Sequence, residues 1–144
     1  WNDDIEFVLS MNIKTVERAK PSAVDINLFP LYKNDEDREF AIKLFRNIIL
    51  KHDEYSKLIQ DNIQNWDVER VAQMDLLVME MALCEIMLFP SIPVKVSFNE
   101  YIDLVKFYST DRSNAFVNGI LDKMIKQLKS EGKIIKAGRG LMEQ

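Results

Sequence analysis

The chain has 144 residues, 47% of them hydrophobic and 29% charged, a balance that suits one domain with a buried core and a solvated surface. Four Gly and four Pro are too few for the turns of an all-β chain, and abundant Leu, Ile, Met, Lys and Glu favour helices. A net charge of -4 argues against a general nucleic-acid coat, and one cysteine (Cys84) with one histidine (His52) excludes an intrachain disulfide and a zinc site.

Ile5, Val8, Leu9, Ile13 and Val16 recur at helical spacing, so residues 1–20 read as a first helix that ends before Pro21. A loop is expected over residues 21–33. Asn34 is a good N-cap, and Asp35, Glu36 and Asp37 follow it in the first turn, where the helix dipole favours acids. Phe40, Leu44, Ile48, Tyr55, Leu58 and Ile59 then carry one apolar stripe to Asn62, with a possible bend near His52 and Asp53. Asn65, Trp66 and Asp67 form a junction, and Asp67 can cap the turn after it. Of the nineteen residues 71–89, fifteen are apolar, which predicts a helix at the centre of a bundle. The three carboxylates in that stretch, Asp75, Glu80 and Glu85, argue against a membrane span. Pro90 and Pro93 stop the helix. Ser97 and Glu100 read as a capping box for the next helix, to about Tyr108. Thr110 or Asp111 opens a last helix, to about Ser130, and Gly132 is a plausible stop. No run reads as a strand, so the fold class is all-α.

Charge changes sign along the chain. Asp3, Asp4 and Glu6 make the start acidic, whereas residues 122–139 hold six basic residues against two acids. That basic run reads as a solvated helix face followed by a loose tail over residues 131–144, or as a nucleic-acid patch. The organisation expected is a truncated N-terminal helix and loop (1–33), a helical domain (34–130) and the flexible tail. Opening on Trp1 rather than Met, the chain reads as a fragment or a processing product. The lone Cys84 lies in an apolar run and points to a reducing compartment, the cytoplasm.

Three blocks carry a family resemblance. The first is Asn65-Trp66-Asp67-Val68-Glu69-Arg70, with Asp75 and then Ala82-Leu83-Cys84-Glu85. The second is Ile92-Pro93-Val94-Lys95-Val96, with Asn99-Glu100 and Leu104; the third is Ser113, then Phe116-Val117-Asn118-Gly119-Ile120-Leu121-Asp122-Lys123. From about Glu39 to Leu128 the chain resembles the NusB family. The resemblance implies an all-α fold of two small helical subdomains. It implies a function in transcription antitermination: binding of boxA-type single-stranded RNA together with NusE, a ribosomal protein, within the RNA polymerase antitermination complex. A homodimer is a further expectation, whereas a membrane, a cofactor and an enzymatic activity are not expected. The sequence departs from the usual short form in residues 1–32, where the family's Arg-rich opening segment has no counterpart, and at Arg112, where an acid is common.

Within that frame, Lys95, Lys106, Arg112 and Lys123 are candidates for phosphate contact, against a reading as ordinary solvated cations. Tyr108 and Phe116 are candidates for stacking on bases, with Asn114 beside them; Phe116 equally opens a core stripe with Ile120 and Met124. Asp75 and Glu80 are candidates for a protein-partner interface, or polar rim residues. Glu85 sits among apolar neighbours and needs partners, for which Arg70, Lys95, Asn99 and Asn118 are the candidates. Gly119 inside a helix is expected to mark a close helix–helix approach, with Asn118 bonding across it.

Two rivals remain. One is a NusB-like domain serving an RNA methyltransferase; the other is a protein-docking adaptor with little RNA binding of its own. An enzyme finds no support in the pattern, which pairs no nucleophile with a base and holds no glycine-rich phosphate loop.

Overall fold

A computed structural model describes residues 5–20, 28–63, 71–110 and 112–142. The elements in order are α1 (Ile5–Arg18), α2 (Asp35–Leu50), α3 (His52–Asn62), α4 (Gln73–Leu88), α5 (Val94–Tyr108), α6 (Ser113–Ser130) and a 3₁₀ turn (Gly138–Leu141). No strand occurs among the described residues, in keeping with the all-α reading. The chain divides into two compact units, residues 1–40 and 41–144.

In the first unit, α1 has the spacing expected of an amphipathic helix but buries none of its residues. Arg18 closes its last turn, with the guanidinium 4.6 Å from the centre of the Phe29 ring, a cation–π contact. The start of α2 is set locally: the Asn34 Oδ1 accepts the Asp37 backbone N–H at 2.8 Å, and three acids follow in the first turn.

In the second unit, the helical run breaks at Lys51, just before the expected bend. Lys51 adopts φ -112° and ψ 15°, while its N–H still reaches the Asn47 carbonyl at 2.9 Å. α3 buries Tyr55 and Ile59 one turn apart, and Ile63, its C-cap residue, is buried one turn further on. α4 buries nine of its sixteen residues and packs against α3, α5 and α6. It is the central helix its near-continuous apolar sequence predicts. Pro93 stands at the N-cap of α5, which starts at Val94. Ser97 therefore lies inside the helix and forms no capping box; it is fully buried and turned inward.

α6 ends at Ser130, with the expected stop, Gly132, just past its cap. With φ +68° that glycine adopts the left-handed conformation; its N–H bonds the Lys129 carbonyl and the Lys133 N–H bonds the Leu128 carbonyl, at 3.1 and 2.9 Å. The described residues beyond it touch the helical body. Ile134 packs on Ile86, Val94 and Ile125, and the 3₁₀ turn brings buried Gly140 against Pro90. Composition concealed this docking, because the lysines of the segment are conspicuous and its anchors are one isoleucine and one glycine.

Candidate nucleic-acid interface

The three carboxylates of α4 recur at intervals of five residues. At about 100° per residue each step turns the helix by about 140° net, so the three point to three different neighbours. All three are buried: Asp75 is 3%, Glu80 5% and Glu85 8% exposed. Each has found a donor.

Glu85 accepts the Ser97 hydroxyl at 2.7 Å and the Tyr101 hydroxyl at 2.8 Å, both from α5. Of the expected partners, Asn99, Asn118 and Lys95 are exposed, and Arg70 lies outside the described residues, as does the rest of the 65–70 motif. Ser97 and Tyr101 are four apart and so share the helix face turned to α4. Burial, with the Glu85 charge beside it, holds the Tyr101 hydroxyl firmly protonated, well above the usual tyrosine value. Gly119 is likewise exposed, and no atom of the described residues lies within 4 Å of where a Cβ would stand, so no close approach of a described helix explains it.

Glu80 points toward α3 and meets His52 Nδ1 at 2.9 Å. That hydrogen bond, with the attraction of the carboxylate, raises the imidazole pKa above 6.5. The pair stands at a cleft of about 730 Å³ lined by Ile48, Ile49, Met74, Leu76 and Leu77.

Asp75 accepts the Ser109 hydroxyl at the α5–α6 connection. Ser109 also lies 3.0 Å from Ser113, and Ser113 lies 2.7 Å from Thr110. One hydroxyl carries one hydrogen, and the carboxylate is its strongest acceptor, so a consistent chain runs Thr110 to Ser113 to Ser109 to Asp75. The Ser113 backbone N–H closes the turn on the Thr110 carbonyl at 2.9 Å. Asp75 and Glu80, candidates for a partner interface or polar rim residues, are thus each hydrogen-bonded within the chain, and Asp75 bonds the corner between α5 and α6. The signal for this corner was the hydroxyl-rich run Ser109-Thr110 and Ser113 between two apolar helices, a pattern of local hydrogen bonding rather than of charge.

That corner carries Tyr108, Arg112, Asn114 and Phe116. Tyr108 is 37% exposed, Arg112 is exposed at the N-cap position of α6, and Asn114 and Phe116 are half-buried. Lys106, one turn back on α5, is exposed and paired with Asp103 at 2.6 Å. The other two candidates lie elsewhere. Lys95 is eleven residues from Lys106 on α5, about 16 Å away at 1.5 Å per residue. Lys123 stands on α6 eleven residues beyond Arg112, and its ammonium donates to the Asn62 carbonyl at 3.1 Å, at the C-terminal end of α3 where the dipole favours a cation. One corner therefore gathers five of the seven candidates, and Lys95 and Lys123 lie toward the other end of the α5–α6 pair.

No helix among the described residues is long and apolar enough to cross a membrane. Comparison with known proteins extends the resemblance beyond the three blocks: the profile described as "NusB family" matches residues 6–126, from the first helix onward. A Salinibacter ruber protein named transcription antitermination protein NusB is 38% identical over 113 residues, 78% of this chain and 71% of that protein. One of the same name from Chloroherpeton thalassium is 38% identical over 106 residues, and there the match spans only 50% of the relative's length. The structure of T. maritima NusB superposes with a TM-score of 0.61 at 31% identity, covering 65% of this chain and 66% of that one. With the profile spanning most of its length, a curated relative well covered, and the same helical fold, this chain belongs to the NusB family.

Proposed function

We propose that the protein is a cytoplasmic transcription antitermination factor with no catalytic activity, which binds boxA-type single-stranded RNA together with NusE as part of the RNA polymerase antitermination complex. The observation that carries this reading is the 38% identity, over 113 residues, to a relative named for transcription antitermination. The corner between α5 and α6 supports it. Tyr108 and Phe116 bring aromatic rings, Asn114 an amide, and Arg112 and Lys106 positive charge, around a turn whose hydroxyls tie it to Asp75. Base stacking on an aromatic ring contributes about 1–3 kcal/mol per base, and cations that meet phosphates make affinity fall with salt.

The test is RNA binding by this chain, with and without NusE, on a boxA-like single strand at two salt concentrations. Tight, salt-sensitive binding enhanced by NusE supports the reading, and Phe116→Ala should then weaken it while the helical signal survives. Firm NusE binding with no RNA binding would instead favour a protein-docking adaptor. Binding of neither would overturn the proposal for this chain.

A further inference from the structure

We propose that the segment after α6 is a latch: residues 133–141 dock on the corner between α4 and α5 and open and close there as a unit, separately from the helical body. Its seat is the turn after α4. α4 ends at Leu88 with Phe89 as its C-cap, and the proline turn that follows presents the Phe89 and Pro90 carbonyls to the segment. The Ala137 N–H donates to the Pro90 carbonyl at 2.9 Å, and the Lys136 ammonium donates to the Phe89 carbonyl at 3.0 Å, a cation at the negative end of α4.

Two further contacts fix the register. Ile134 covers the apolar cluster of Ile86, Val94 and Ile125, with Phe98 beside it. Gly140 lies so close under Pro90 that an added Cβ would stand 2.0 Å from the Pro90 carbonyl oxygen, a backbone atom that cannot swing aside. Gly138, at φ +57°, supplies the left-handed turn that brings Gly140 there. The other apolar side chains face outward: Ile135 and Leu141 are 71% and 60% exposed, and Met142, just past the segment, is 78% exposed. Few anchors and much exposed backbone are the marks of a locally unfolding unit. Opening it uncovers Val94, the first residue of α5, and withdraws the Ala137 N–H from the Pro90 carbonyl. The latch rests on these contacts and not on the reading of function given above.

Limited trypsin digestion of the whole chain, resolved by site with mass spectrometry, tests it. Lys133, Lys136 and Arg139 are cleavage sites within the latch, and Lys126 inside α6 serves as the reference. A protease needs the latch extended, so its rate there follows the open population. Gly140→Ala should raise cleavage after Lys136 and Arg139 at least about tenfold relative to Lys126, while circular dichroism shows the helices intact after the latch is cut. Ile134→Ala, which removes only the apolar anchor, should act in the same direction and stands in if Gly140→Ala does not fold. Latch cleavage unchanged in both variants would overturn the proposal, as would loss of the helical signal when the latch is cut, since the segment would then be an inseparable part of the fold.

Discussion

The two faces of α4 bury a carboxylate almost equally well and satisfy it differently. Toward α5, Glu85 receives two neutral hydroxyls from side chains that are themselves buried. Toward α3, Glu80 meets an imidazole that is 61% exposed, beside an apolar cleft. Hydroxyl donors keep their protons across the ordinary pH range, so the donors of the α5 face are fixed and the face is intolerant of truncation. An imidazole changes charge within that range, so the α3 face is adjustable. The contrast teaches that burial of an acid alone does not say whether it is a fixed strut or a titrating contact; the donor decides.

The largest effect should come from breaking the fixed face. Tyr101→Ala removes a ring that is 4% exposed together with one of the two donors to Glu85. Loss of a buried aromatic side chain costs about 3–5 kcal/mol, and urea denaturation should show a midpoint shift of that order. Tyr101→Phe keeps the ring and removes only the donor, at about 1–3 kcal/mol, the cost of leaving a buried acceptor unsatisfied. If Tyr101→Phe proves neutral, Glu85 is held by Ser97 alone and the face is less finely matched than its geometry implies.

The adjustable face should respond to pH instead. The folded state raises the His52 pKa above 6.5, because the Glu80 carboxylate favours the protonated ring. A group whose folded pKa is raised contributes stability that is fully present below the unfolded value and is lost as pH rises through the folded value. Thermal melts of the native chain and of His52→Gln should therefore differ most on the acid side of 6.5 and converge as pH rises through the raised value. The exposed ring limits the size of the effect, since solvent screens the pair. A difference that grows with pH would show that His52 serves Glu80 as a neutral donor and not as a charge.

Much of this contrast could be read from the sequence, and the missing part has a common cause. Periodicity placed α4 at the centre, Asn34 marked the start of α2, and the prolines at 90 and 93 marked the corner, because each of these signals acts within one or two turns of chain. The need of Glu85 for partners was legible from its apolar neighbours. The identity of those partners was not. Ser97 and Tyr101 lie twelve and sixteen residues away, and only the packing of α5 on α4 brings them in. Ser97 was further disguised, since Ser97 and Glu100 have the spacing of a capping box although Pro93 already starts the helix. At the candidate interface, Tyr108, Arg112, Asn114 and Phe116 are near neighbours in sequence around the connection between α5 and α6. The hydroxyl chain that anchors this corner to Asp75 again joins residues distant in sequence, so charge and aromatic content could not reveal it.

The smallest effect belongs to a contact that looks as short as any of these. Lys126 Nζ lies 2.6 Å from Asp122 on α6, one turn away, closer than either donor to Glu85. Both side chains are in water, 73% and 51% exposed. Water competes for each charge before and after the pair forms, and ordering the long lysine side chain offsets what attraction remains, so i,i+4 pairs contribute only about 0.3–0.5 kcal/mol. Lys126→Ala should shift the denaturation midpoint by no more than that, and the shift should shrink further in high salt. Set beside Tyr101→Phe, where a longer bond in a dry site has a larger effect, the pair separates distance from energy. A loss at Lys126 as large as that at Tyr101 would mean that α6 is shielded from solvent there.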